Sequence, residues 1–453
     1  MTHATTSSKW DRLLFTQVDN SALVLFRIIY GLLLAAEAFG SIALGAVDRL
    51  FIEPQFTFTF IGFDFLQPLP GFGMYTLYSL MGIAGLMIMV GWKYRTAIIF
   101  YSIAWAYVYL LQKSSYNNHC YLIMLLNFLM VYLPAHRSAS IDAWRNPEIR
   151  KEFMSRWIYF FIIGFLFIIY SYASVAKFYP DWLDGSFPKY LMSTRGKNFD
   201  ILQNEWAHIS ILYFGLFFDL LIIPFLLWKR TRWIAVVASL FFHLFNSVVF
   251  QIGIFPYLAL SFLLFFFTTE TIHKRLIWKK TYYKAREIIV PKSKNIIIFC
   301  STGFLLVMLL LPLRHWIIED DVLWTEEGHR LSWRMMLRSR SGRTTYYVVD
   351  KATQERTRIK LSDYLTEKQS RSAQSKPDFI WQFAQKLEEI YAAKGQDIEV
   401  YVKSRVSING RRYSPFIDPE VDLAAEEWDH FKHHDWILPS PLYVEEESVL
   451  SMQ

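Results

Sequence analysis

The sequence predicts a mainly α-helical, polytopic membrane bundle of about nine transmembrane helices, followed by a mostly β domain outside the membrane. Three observations carry this. Of 453 residues, 53% are hydrophobic and 18% aromatic while 19% are charged, too apolar for two or three ordinary soluble domains. The apolar residues are gathered in long blocks, most of them close to the roughly 20 residues that a helix needs to cross a bilayer. After Leu313 the composition turns charged and rich in turn residues, which divides a membrane domain, 1–313, from an extramembrane domain, 314–453.

Taken in order, the blocks fall at 22–46, 73–92, 96–111, 120–134, 157–175, 207–228, 233–250, 252–268 and 296–312. The third, fourth and eighth are short. Nothing in the polar first 20 residues reads as a removable signal peptide, so the first block is expected to be its own anchor. With the N-terminus inside, the inner loops hold Lys93, Arg95, Arg137, Arg145, Arg150, Lys151, Arg156, Lys229, Arg230, Arg232 and a dense run from Lys274 to Lys294. The outer loops hold only Arg49, Lys113, Lys177, Lys189, Arg195 and Lys197. This positive-inside bias places the C-terminal domain on the non-cytosolic side. It also accounts for the net charge of +7, because a nucleic-acid partner would want a basic stripe on a soluble face. HKRLIWKKTYYKAR, 273–286, mixes cations with aromatics as a segment lying along the inner membrane surface does.

In the extramembrane domain, TTYYVVD, TRIKL and DIEVYVKSRVSI alternate and are rich in β-branched residues, predicting strands. The apolar spacing of three and four over 376–394 predicts one helix. The acidic end, YVEEESVLSMQ, reads as frayed. Two cysteines, Cys120 and Cys300, lie in or beside apolar blocks, so no disulfide framework is expected outside. There is no N-x-S/T sequon. Both absences suit a bacterial inner membrane better than the endoplasmic reticulum.

Ionisable groups at membrane depth cost about 2.5 kcal/mol or more each on insertion scales, so the few present are functional candidates. Lys177, in YSYASVAKFYPDWLDG, ends an apolar run inside an aromatic cluster. It is either an anchor snorkelling to the interface or an amine kept desolvated to act as a base. His119 follows Asn117 and Asn118, which could equally be a helix cap. His243 and Asn246 share one helix face and are either interhelical hydrogen-bonding groups or site residues. Asp219 and Arg27 read as a structural ion pair. His119, Lys177 and the Asn246 to Gln251 stretch all fall on the outer half of the bundle, which is the physical hint of a site. No phosphate loop, GxGxxG, HExxH or paired CxxC occurs, so nucleotide and zinc chemistry lack support. Nor do the spans show the interrupted pairs of an inverted-repeat transporter.

Five motifs, in the same order and in both domains, resemble those of the vitamin K-dependent γ-glutamyl carboxylases. SYNNHCYL is similar to WNNHSYL, YASVAKFYPDWLDG to AGVKKLDADWVEG, and FFHLFNSVVFQIGIFPY to FHCMNSQLFSIGMFPY. Outside the membrane, LSWRMMLRSRS resembles YSWDMMVHSRS and VSINGRRYSPFIDPEVD resembles VSINDRFQQRIFDPRVD. The likeness runs from about Trp10 to Pro439. It implies oxidation of vitamin K hydroquinone (reduced menaquinone or phylloquinone) by O2 to the epoxide, coupled to removal of a glutamate γ-proton and capture of CO2 as γ-carboxyglutamate, with no metal. Lys177 matches the family's catalytic lysine and His119 its catalytic histidine.

Asn118, which would brace His119, and His243 and Asn246 are the expected quinol contacts. Trp333, Arg338 and Arg340 are expected at the glutamate-containing peptide or protein. The chain departs from the vertebrate pattern at Ala176, at Val248 in place of a glutamine and at Arg334 in place of an aspartate, changes that bear on the peptide substrate more than on the quinol. Two other readings remain open: a homologue that epoxidises quinol without carboxylating protein, and a non-catalytic quinone-binding or transport protein. Oligomeric state is not legible.

Overall fold

Every apolar block becomes helical, because a backbone that leaves water must satisfy its own N–H and C=O groups. The computed structural model describes residues 8–441; the acidic end, 443–453, lies outside the described residues. The helices are α1 (Ser21–Ala43), α2 (Gly73–Val90), α3 (Tyr94–Leu111), α4 (Asn118–Tyr132), α5 (Trp157–Val175), α6 (Glu205–Leu227), α7 (Arg232–Phe250), α8 (Phe255–Ser261, continued by 3-10 turns to Phe266) and α9 (Lys294–Leu310). Six are long and apolar enough to span a membrane: α1, α2, α5, α6, α7 and α9 with the turns that extend it to Trp316. Nine spans are thus not confirmed; six of the described helices meet the requirement of length and hydropathy. Helix α4 and the 255–266 segment are too short, and α3 carries Arg95 and Ser102 among its tyrosines.

Helices α1 and α2 cross at van der Waals distance of their backbones. A Cβ on Gly31 would stand 2.3 Å from the Met89 nitrogen, and one on Gly85 2.6 Å from the Ala35 nitrogen. Small residues permit this approach, which is how helices bind where lipid is as apolar as leucine. Gly91 ends α2 in the left-handed region, at φ 67°. A Cβ there would be 2.6 Å from Arg27 Nη1, so the glycine makes room for that guanidinium. Arg27 is fully buried and donates to the carbonyls of Ala135 at 3.2 Å and Ala139 at 2.7 Å. It ties α1 to the loop after α4; the expected pairing with Asp219 does not form.

Outside the bundle, strands β1 (Arg340–Asp350), β2 (Arg356–Ile359), β3 (Ile398–Ile408) and β4 (Ser414–Ile417) make an antiparallel sheet in the order β2-β1-β3-β4. Ile398, Val400, Val402 and Val406 are buried at period two, as one sheet face requires. That face meets helix α10 (Pro377–Ala392), whose Phe379, Ile380, Phe383 and Leu387 recur at three and four and are fully buried. The loop between α1 and α2 contributes Phe58 to this core, its ring 4.8 Å from that of Phe379. The two regions therefore share packing.

Candidate functional site

Lys177 sits one residue past the C-cap of α5. Burial here is nearly complete: the side chain is 6% exposed, so snorkelling to water is not what it does. Its Nζ donates to the Ala173 carbonyl at 3.0 Å, stands 5.4 Å from the centre of the Trp182 ring and forms an ion pair with Asp219 of α6. Asp219 is equally buried. The carboxylate read from the sequence as the partner of Arg27 is the partner of Lys177 instead. Depth in the membrane is legible from sequence, but rotation about the helix axis, which selects the partner, is not.

Opposite this pair, Phe255 stands beside both histidines, with ring centroids 5.9 Å from His119 and 6.1 Å from His243. Tyr170 Oη lies 3.3 Å from His243 Nε2, a contact the sequence gave no reason to expect. At the start of α4, Asn117 is the cap, accepting from the Cys120 N–H at 3.0 Å. Asn118 does something else. Its Nδ2 donates to the Arg334 carbonyl at 3.1 Å and its Oδ1 accepts from Tyr116 at 3.1 Å, so it grips the extramembrane segment rather than bracing His119.

That segment, Leu331–Arg340, closes the site from outside. Tyr116 Oη accepts from the Leu331 N–H at 2.9 Å, and Tyr179 Oη donates to the Leu337 carbonyl. Trp333 packs 4.9 Å from the Tyr121 ring and 6.2 Å from that of Phe165. Leu331, Trp333 and Met336 adopt φ of 64°, 57° and 51°, a left-handed conformation costing roughly 1–2 kcal/mol per non-glycine residue. The contacts to α4, α5 and the turn after α5 offset that strain. Trp333, expected at the peptide substrate, is buried in this anchorage and lies outside the cavity lining.

The segment's arginines point to the same side. Arg338 pairs with Glu326, and Arg340 Nη1 is 3.6 Å from the same carboxylate. Burial alone would raise the Glu326 carboxyl, but Arg338, Arg340 and His329 hold it well below the usual range. Arg334 Nη1 meets His315 Nε2 at 3.1 Å. Burial pushes Lys376 down to about 8, and Arg334 and Arg340 each to about 10. Beyond them, Asp378 forms ion pairs with Arg330 at 2.8 Å and with Lys113 at 2.7 Å.

Between these elements lies one cavity of about 990 Å³. Its membrane-level wall is aromatic, built from Trp206, Phe214, Phe241, Phe242, Phe245 and Phe255, and its outer end holds Glu326, Arg330, Arg334, Arg338, Arg340 and Lys376. Lys177, His119, Asn118, His243, Asn246, Arg338 and Arg340 all face it, as do Asp219 and Tyr170. Three motifs far apart in sequence thus meet at one space with a greasy end and a cationic end.

Residues 15–270 match the model of the HTTM domain, and residues 293–442 match that of the vitamin K-dependent gamma-carboxylase, lumenal domain. The chain belongs to the vitamin K-dependent γ-carboxylase family. No solved structure matches it. Membership marks a multi-pass, carboxylase-like membrane protein and implies use of vitamin K hydroquinone, O2 and CO2 on glutamate-containing substrates. Of the residues facing the cavity, Tyr170, Glu326, His329 and Lys376 escaped the sequence reading. The charged run preceding SWRMM was the one available signal for Glu326 and His329; nothing marked Tyr170 among the aromatics of α5.

Proposed function

We propose that the protein is an integral membrane γ-glutamyl carboxylase, coupling oxidation of vitamin K hydroquinone by O2 to carboxylation of glutamate side chains by CO2. The carrying observation is the single cavity that joins a membrane-level aromatic wall to an arginine-lined outer end, with Lys177 and His119 between. Its volume lies at the upper end of ordinary ligand sites, enough for a naphthoquinol ring together with a side chain from a peptide. Quinol epoxidation supplies the strong base that takes the glutamate γ-proton; the residues of the chain bind, orient and keep water out.

Trp206, Phe241 and Phe245 are the residues we assign to the quinol's apolar body. Lys177 Nζ takes a hydroxyl proton there, a transfer that needs the amine uncharged at that moment. His243, held by Tyr170, and Asn246 offer hydrogen bonds to the quinol oxygens. His119 faces the same space from α4 and orients a carboxylate or donates a hydrogen bond to CO2. Arg338 and Arg340 bias the outer end toward an acidic peptide. Arg334, in place of the family's aspartate, adds to that bias. The aromatic wall excludes the water that would reprotonate the carbanion. Basic inner loops support a non-cytosolic outer end, in a bacterial inner membrane.

The test supplies purified protein with a naphthohydroquinone, a glutamyl peptide, O2 and labelled CO2. Epoxide with peptide-bound label is the expected result. Epoxide without label would leave a quinol epoxidase, and neither product would leave a quinone-binding or transport protein.

A further inference from the structure

The base of the quinol reading, Lys177, is held in an ion pair whose carboxylate has no part in that reading. Lys177 and Asp219 are both buried, with side chains 6% and 5% exposed, and both line the cavity. Asp219 and the Ala173 carbonyl take two of the ammonium's three donors. The third has no hydrogen-bond partner among the described residues. Such a pair is not a free amine: in a medium of low dielectric, an ammonium beside a carboxylate keeps its proton. Lys177 can accept a proton from anything in the cavity only if the one it carries has somewhere to go.

We propose that Asp219 is the positioning and proton-holding partner of Lys177, so that the two side chains act as one base toward a hydroxyl in the cavity. The inference rests on the quinol reading above. In the step, the hydroxyl O–H bond breaks and an N–H bond forms at Lys177 Nζ, while the proton Nζ already carried passes to Asp219 Oδ2. One proton has then entered the pair, which ends as ammonium beside a neutral carboxyl. The site gains one positive charge, matched by the negative charge left on the donor oxygen. No oxidant is consumed in this transfer. The other titratable groups facing the pair are Tyr170 from α5 and His243 from α7, in contact with each other. His119 and Arg334 close the cavity from α4 and from the extramembrane segment.

The pair makes a specific claim about pH. In the pair the proton ends on the Asp219 carboxylate, passed through Lys177 Nζ, whereas in Asp219→Asn the amine itself must keep it. A carboxyl and an amine titrate about six units apart in water. Asp219→Asn therefore moves the acid limb of the pH profile of quinol oxidation toward alkaline pH by about one unit or more, and Asp219→Glu restores it. A merely structural role would lower the rate at every pH and leave the limb in place, which overturns the proposal.

A second readout needs no turnover. Infrared difference spectra of wild-type protein carrying isotope-labelled aspartate, on adding a short-tailed naphthohydroquinone without oxygen, should show a labelled carboxylate converted to a carboxyl. Absence of that conversion in wild-type protein refutes the proposal even where Asp219→Asn does not fold. Lys177→Ala separates the two levels of argument. Retained quinol oxidation in that variant would sink the functional reading itself; loss of oxidation with an unmoved limb in Asp219→Asn would sink only the dyad.

Discussion

Asp378→Asn should uncouple the extramembrane region from the site beneath it. Asp378 is 1% exposed, is paired through Oδ2 with Lys113 Nζ at 2.7 Å and Arg330 Nη1 at 2.8 Å, and accepts a hydrogen bond at Oδ1 from Arg330 Nη2 at 3.2 Å. It also occupies the first turn of α10, where a negative charge is favoured by about 0.3–1 kcal/mol. Removing one member of a buried charge cluster costs about 3–5 kcal/mol, because the remaining charges stay desolvated. The two partners respond differently. Burial already pushes Lys113 down to about 8, so without Asp378 it sheds its proton at a cost of about 1.4 kcal/mol per unit. Arg330 cannot do this and stays charged.

The expected loss is therefore about 3–5 kcal/mol near neutral pH. It becomes smaller above pH 8, where Lys113 is neutral with or without its partner. Hydrogen exchange of the α10 amides measures the opening free energy directly. A change below about 1 kcal/mol, or one that grows with pH, would refute the reasoning.

Other consequences follow from the same geometry. Gly31→Val should weaken the α1–α2 crossing by about 1–3 kcal/mol through overpacking, read as a lower unfolding barrier in lipid with inner-loop topology unchanged. Lys376, pushed down to about 8, carries its charge below that pH and loses it above; the KM for an acidic peptide should rise across that window while kcat holds, and Lys376→Arg should flatten the rise. The His433 imidazole is raised by its hydrogen bond to Glu327. The stability it contributes is complete below about 6.5 and is lost as pH climbs through the raised folded value. Protease nicking around 428–436 should increase over that interval, and His433→Gln should remove the dependence.

What the sequence disclosed and what it withheld have separate physical causes. Apolar blocks specify helices because the bilayer leaves the backbone no alternative, so α1 to α9 were legible, as were the alternating strands and α10. Spanning is a stricter demand, and α3, with an arginine and several hydroxyls, fails it. Lys177, His119, His243 and Asn246 stood out because polar groups at that depth are costly. Their partners did not: Asp219 and Arg27 were both read as ionic, and each proved to bond something else, because one sequence gives depth but not azimuth. Trp333 looked like a substrate contact since it sits among arginines. The left-handed turns at Leu331, Trp333 and Met336 rotate it into the anchorage, and no propensity anticipates three such residues within six positions.

The account rests on quinol and acidic substrate sharing one chamber at Lys177. Photocrosslinking with a naphthoquinone bearing a photoreactive group on its ring, in lipid nanodiscs, with the labelled residues mapped by mass spectrometry, tests this most directly. The label should fall on Tyr170, Trp182, His243 and Phe255, and an acidic glutamyl peptide should change its distribution. Label confined to the lipid-facing side of α9 or to the basic inner segment 273–286, and indifferent to peptide, would contradict the account.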